Sequence, residues 1–467
     1  MARTIVQGSL GDSVADVSPD LTGISGVDPE WMQPVRPVAD GRGAGYHPGS
    51  ARKEGSVSWI PFDEPLGPDV HPLEDPFVEV PSNGPVDSDL DRQVLIDTVH
   101  DGHVVPEAIL PLSDQAWSDF RDCYGDERDW GSHYVATSVA RHLGLSGYKR
   151  VLLARPLLDF NRFAGINELP LGHDHRDAIF PPMSGHLDRR RTRILLEQGY
   201  DRIDDRMESW IEGRQVKLSV HTYRPSNEIG TERPAVSLIT QSVAYDRQTD
   251  LRQASFYEFY PRQLVEFTAD RMLTYRIATY LERGFVPTGL NSPYMLPEGA
   301  VELRAQVWLF VRFLRERYER EGRCPVAPGT REYEAIWNML GNTNRRSAEA
   351  ISLREQLHGS ARVPRSQDLD FGLLQDVYDD IRRYLRENGG RIVWDYRFSP
   401  DRMSTIIVEV RRDFILRMEA VEGRMRPTQV HGGRVDEIGE RIASAIRDYL
   451  RDDLPLRRRH FERGPED

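Results

Sequence analysis

The chain has 467 residues, 29% of them charged and 39% hydrophobic, with a formal net charge of -13 and a pI near 5.6. That acidity leaves no overall basic field for nucleic acid or an anionic bilayer, and the short runs Arg189-Arg190-Arg191 and Arg457-Arg458-Arg459 read as solvated surface. Two cysteines, Cys123 and Cys324, argue against a disulfide framework or a cysteine-built zinc site, and no stretch has the character of a membrane span or secretory signal, so a reducing cytoplasm is the expected compartment.

Residues 1 to about 88 are rich in Pro, Gly, Asp and Ser without a sustained period, which predicts an extended or partly ordered arm. Within it, Ser56–Ile60 and Pro76–Val80 are segments that can pack on the body. From residue 89 to 467 strand and helix patterns alternate. Strands are predicted near 93–99, 150–154, 156–160, 215–221, 235–242, 284–288, 391–397 and 404–410. Helices are predicted near 113–122, 130–143, 187–211, 261–283, 299–320, 331–340, 345–357, 371–388 and 433–451. The alternation implies an α/β fold with a mixed, mostly parallel central sheet covered by helices on both faces. Residues 299–389 are almost wholly helical and read as an insertion between two strands of that sheet.

Polar groups recur where apolar runs end. His100-Asp101-Gly102-His103 closes Val94–Val99, Asn161-Arg162 follows Leu157–Phe160, His221 ends Gln215–Val220, and Glu409 ends Ser404–Val408. In an α/β sheet such positions converge at the carboxyl edge, where ligands bind. His100, His103 and His221 offer nitrogen ligands, and Asp129 in Asp126-Glu127-Arg128-Asp129-Trp130 offers an oxygen, with helix capping as its alternative role. Nitrogen and oxygen donors without cysteine favour Zn2+ over manganese or iron. Glu409, an acid inside a β-branched run, is costly to bury without a partner and suits a general base; the alternative is an outward side chain on an edge strand. Arg162, Arg411 and Arg412 are candidate anion clamps because a guanidinium matches a carboxylate with two hydrogen bonds. His173 and His175 are candidates to line the pocket, and Arg224, in the run that follows His221, is a further cation at that edge.

In this order the pieces resemble the N-formylglutamate amidohydrolase family, within the zinc-dependent exopeptidase fold shared with metallocarboxypeptidases. The resemblance rests on six motifs between about residues 92 and 450. His100-Asp101-Gly102-His103 with Pro106 matches a His-x-Gly loop, and Asp126–Trp130 an acidic loop before a helix. Asp159-Phe160-Asn161-Arg162 matches an Asp-x-Asn-Arg strand end, and His221-Thr222-Tyr223 a His-Ser strand end, with Thr in place of Ser. Asn291-Ser292-Pro293-Tyr294 matches an Asn-x-Pro-Tyr turn, and Glu409 with Val410-Arg411-Arg412-Asp413 the closing Glu strand. Carboxypeptidase-like relatives place Glu three residues after the first ligand, where this chain has His103, so the second ligand is either His103 or Asp129.

The resemblance implies a metal-dependent hydrolase of a linear amide, with a small N-formyl or N-acyl amino acid or a peptide-like molecule as substrate. Glu409 would serve as general base beside a metal-activated water. Asn161, Arg162, Arg224, Asn291, Tyr294 and Arg411 would contact the substrate. The alternatives are a carboxypeptidase-like or biosynthetic deacylase for a larger molecule, whose cleft the insertion would widen, and a non-catalytic binding protein on the same fold.

Overall fold

Apolar runs with polar ends become the strands of one central sheet in the computed structural model, which describes residues 59–164, 178–226, 230, 232–242, 259–261, 264, 267–297, 299–321, 326–358, 369–399, 402–421 and 424–463. The strands before residue 100 are β1 (Trp59–Pro61), β2 (Asp69–His71), β3 (Phe77–Pro81) and β4 (Val94–Thr98). They are followed by β5 (Val104–Pro106), β6 (Gly147–Val151), β7 (Val216–Tyr223) and β8 (Val236–Ile239). The last are β9 (Thr288–Leu290), β10 (Ser404–Arg411), β11 (Leu416–Val421) and β12 (Arg424–His431). Seven of them form a mixed sheet in the order β3-β6-β4-β7-β10-β8-β9. Its centre, β6-β4-β7-β10, is parallel, while β3 and β8 run antiparallel to β6 and β10.

The strands β4 and β7 are buried along their whole length and β10 along all but its last residue, so both faces of the sheet are covered. This explains why they read as near-continuous apolar runs rather than alternating ones. Register sets Ser219 beside Asp97, and His221 beside Glu409. Side chains alternate along a strand, so Asp97, Lys217, Ser219, His221, Thr405 and Glu409 share one face. The helix Val301–Arg320 lies on that face: Glu302 accepts from Lys217, and Gln306 donates to the carbonyl of Met403. On the other face, Leu218, Val220, Ile406 and Val408 join the main core with the helices Ser132–Leu143, Arg271–Arg283 and Gly432–Asp448, the last of which packs on the other two. Each such aliphatic side chain removed from water is worth about 1.5–3 kcal/mol.

The helices Arg331–Gly341, Ala348–Leu357 and Phe371–Phe398 enclose a second core with the outer side of Val301–Arg320, centred on Phe310, Tyr318, Trp337 and Tyr396. The helical stretch expected at 299–389 is therefore tied to the sheet by the first turn of its first helix.

Two expectations are corrected. The run at 156–160 is not a strand: Leu157 and Leu158 donate to Ala154 in a buried turn, because an apolar run reports burial and not conformation. The strand expected at 391–397 is the end of the helix Phe371–Phe398, which continues through Gly389-Gly390 and buries Ile392, Val393 and Tyr396 at helical spacing. The hairpin β11–β12, which joins β1 in a three-stranded sheet, was not foreseen. From Trp59 onward the segment expected as an arm supplies β1, β2 and β3. Among the described residues, no helix is long and apolar enough to cross a membrane.

Candidate metal centre

The chain leaves β4 at Thr98 and delivers His100 to the carboxyl edge of the sheet, where the ring is buried. Gly102 lies so closely against the segment just after β6 that a Cβ there would come within 2.1 Å of the Leu153 carbonyl oxygen, so the backbone can pass only as glycine. Asp101 turns away from the site and accepts from Arg128 Nε at 3.0 Å and His133 Nδ1 at 2.8 Å. Burial alone would raise the Asp101 pKa, but Arg150, Arg128 and His133 hold it well below the usual carboxylate range. This anchored side chain fixes its neighbour His100.

Asp129 follows the helix Asp114–Glu127 and is not the cap of the next one; Gly131, at φ 85°, takes the N-cap position before Ser132. The Asp129 amide donates to the carbonyl of His100 at 3.1 Å, so the two loops are stitched together. Asp129 Oδ2 lies 2.8 Å from His221 Nδ1 and 3.6 Å from His100 Nδ1. The two rings meet edge to face with centroids 4.7 Å apart. One donor atom each from His100, Asp129 and His221 lies within 4.8 Å of the other two, and all three residues are buried.

The tautomers suit a cation. His100 Nε2 is bound to Asp159 Oδ1 at 2.8 Å, so the proton sits there and Nδ1 carries a lone pair; Nδ1 has no hydrogen-bond partner. Asp159 is itself held by Arg155, whose Nε and Nη2 donate to Oδ2 at 3.3 and 3.2 Å. Burial would raise Asp159, yet Arg155 and His100 keep it well below the usual range. Asp129 is held low in the same way against its burial, by the neighbouring imidazoles of His100 and His221 and by Arg155. His221 shows the converse: burial depresses it, but Asp129, Glu409 and Glu302 together raise it to about 9. The donor set of two nitrogens and an oxygen fits zinc.

Glu409 stands beside His221 in register, on β10, and the Tyr294 hydroxyl donates to its Oε1. Its Oε2 is buried without a partner. Burial and the nearby Asp129 raise its pKa against the pull of His221 and Tyr294. Arg155, which sequence reasoning missed, spans the site: besides Asp159 it reaches Asp129 Oδ1 at 3.3 Å. The misread strand at 156–160 hid it, although an Arg four residues before the Asp of the Asp-x-Asn-Arg motif was a usable signal.

The other expected residues divide. Arg162 lies 3.7 Å from Asp159 Oδ2 with 24% of its side chain exposed, so it borders the cluster from the solvent side. Asn161 Oδ1 accepts from the amide of Val301 at 3.3 Å, which leaves its Nδ2 donors as what it can offer a ligand. Arg412 is buried with Nη2 3.8 Å from Asp129 Oδ1. His103 is not in the cluster; past Gly102 the chain enters β5, and its ring faces Asp69 Oδ2 at 3.9 Å. Of the two candidates for second ligand, the structure brings Asp129 to the site. Arg411 is engaged elsewhere, with Glu232 at 2.6 Å and Asp413 at 2.8 Å, and Arg224 pairs with Asp126 at 2.9 Å on the surface. Asn291, expected at the substrate, instead has Oδ1 accepting from the amides of Thr240 and Gln241 at 2.8 and 2.9 Å, which holds the turn that presents Tyr294. His173 and His175 lie outside the described residues.

No protein-family model matches the chain, and no curated protein sequence is similar to it. Among solved structures it is similar to an N-formylglutamate amidohydrolase from Ralstonia eutropha, at 11% identity and a TM-score of 0.40, over 81% of this chain and 99% of that one. It is also similar to a gene product of Agrobacterium tumefaciens, at 13% identity and a TM-score of 0.36, over 81% of this chain and 97% of that one. Likenesses this distant leave function to be read from the site itself.

Proposed function

We propose that the protein is a metal-dependent amidohydrolase that cleaves the linear amide of an N-formyl or N-acyl amino acid bearing a free carboxylate. One observation carries this reading: three buried donors from separate strand and loop ends converge, with the unpartnered Oε2 of Glu409 on the neighbouring strand. His100, Asp129 and His221 would hold the cation. A divalent ion there would supply Lewis acidity to polarise the scissile carbonyl and acidify a water.

The chain's own residues account for the remaining work. Glu409, raised by burial, takes a proton from water at Oε2 and returns it to the leaving nitrogen, while the Tyr294 hydroxyl steadies Oε1. Arg155 brings a half-buried positive charge to the edge of the cluster, where oxyanion charge develops on the carbonyl oxygen. Arg162, with the Nδ2 donors of Asn161, grips the substrate carboxylate from the solvent side.

The test is a panel of N-formyl, N-acetyl and peptidyl amino acids, offered to chelator-treated and zinc-reloaded protein. Amine release that depends on the metal and favours small N-acyl amino acids is expected. Equal turnover without metal, or none on any member of the panel, overturns the reading; preference for the peptides moves it to a carboxypeptidase-like deacylase.

A further inference from the structure

The sequence contains three lysines against many arginines, and one of the three, Lys217, lies near the start of the central strand β7 with no exposure. Its Nζ sits 2.6 Å from Asp97 Oδ2, 2.8 Å from Glu302 Oε1 and 2.5 Å from Ser219 Oγ. Ser219 Oγ is in turn 2.7 Å from Asp97 Oδ1 and 2.5 Å from Glu302 Oε1. A compact ammonium with three donors fits between three acceptors where a planar guanidinium would not. Two buried carboxylates share one ammonium here, a costly arrangement unless a further donor lies above it.

What lies above it is His221. Lys217, Ser219 and His221 alternate up the same face of β7, so the Glu302 carboxyl, seated on Ser219, is one step below the imidazole. His221 Nδ1 faces Asp129 and the cluster, while its Nε2 is buried and has no partner. Glu302 Oε2 is also buried without a partner.

Resting on the reading of the cluster as a metal centre, we propose that Glu302 is a positioning residue for His221. Its free oxygen takes the outward Nε2–H of the imidazole through one bridging water, and so fixes the ring with Nδ1 toward the cation. Lys217 and Ser219 are the clamp that holds this carboxylate in place from within the sheet. Carboxylates in this outer position are worth about 10- to 100-fold in metal affinity.

The experiment is zinc affinity by competition with a chromophoric chelator, on the parent, Glu302→Gln, Glu409→Gln and the paired Lys217→Gln/Glu302→Gln, each checked for folding by circular dichroism. Glu302→Gln should bind zinc about 10- to 100-fold more weakly than the parent, whereas Glu409→Gln should stay close to it. Unchanged affinity in folded Glu302→Gln overturns the proposal, and a loss confined to Glu409→Gln transfers the role to Glu409. If Glu302→Gln fails to fold, the paired variant, which removes both charges, gives the same comparison. Long-range 1H–15N spectra of the zinc-loaded parent, assigned with His221→Ala, add an independent reading. A proton on His221 Nε2 that exchanges slowly is expected, and a proton on Nδ1 instead contradicts it. A parent that binds no zinc at this cluster overturns the metal reading as well, so the two failures are distinct.

Discussion

Replacing Asp159 with asparagine should loosen the metal centre without emptying it. Asp159 has no exposure; its Oδ1 takes His100 Nε2 at 2.8 Å and the Asn161 amide at 2.9 Å, while Oδ2 takes two donors from Arg155. An amide has one oxygen for these two sides. If the oxygen faces His100, the NH2 group meets the Arg155 guanidinium, donor against donor; if it faces Arg155, His100 loses its acceptor and its tautomer. Either way a charge-assisted hydrogen bond worth about 1.5–3 kcal/mol is lost from stability. The loss of the carboxylate behind His100 should weaken zinc binding about 10- to 100-fold, which is about 1.4–2.7 kcal/mol. The assay is chelator competition on folded Asp159→Asn, alongside urea unfolding of the metal-free protein. A variant with the parent's zinc Kd and the parent's urea midpoint would refute the placing of Asp159 behind His100.

Three further outcomes follow from the same geometry. Glu409→Gln should retain zinc and lose about 10²- to 10⁴-fold in kcat, measured on the best N-acyl substrate; a variant near parental activity returns Glu409 to a structural role. Arg162→Lys should reduce the preference in kcat/KM for a free acid over its methyl ester by the worth of a bidentate contact, about 1.5–3 kcal/mol, and an unchanged ratio removes the clamp. Away from the site, burial and the neighbouring Asp204 and Asp205 raise the Glu208 pKa from 4.5 to about 7, against Arg304. A carboxyl raised in the folded state contributes stability that is complete below about pH 4.5 and is lost as the pH rises through about 7. Glu208→Gln should therefore stabilise the protein above neutrality, by on the order of 1–2 kcal/mol after allowing for solvent screening, with little gain in acid. Urea midpoints measured across this range check it, and equal gains at both ends would contradict it.

The sequence made strand ends legible where a run of apolar residues stops at a group too polar to bury idly. That signal located His100, His221 and Glu409, because each lies near the end of, or just beyond, a strand buried on both faces. It failed for His103, since two histidines in one loop look equivalent until Gly102 sends the chain into β5. It also failed for Arg155 and for the Lys217–Glu302 pair, whose meaning lies in contacts across 85 residues and between a strand and a helix. Lys217 was open to the same reasoning that singled out Glu409, a charge inside a β-branched strand, but only its partners show that it faces the site's side of the sheet. The residues at 391–397 look like a strand from composition, and only the aromatic core around Tyr396 shows why they remain helical.

The most direct measurement is the anomalous scattering of crystals grown with zinc, collected on both sides of its absorption edge. One peak should lie within bonding distance, about 2.0–2.2 Å, of His100, Asp129 and His221. A map in which zinc binds elsewhere, or leaves this cluster without a peak at saturating metal, would contradict the reading of the site as a metal centre.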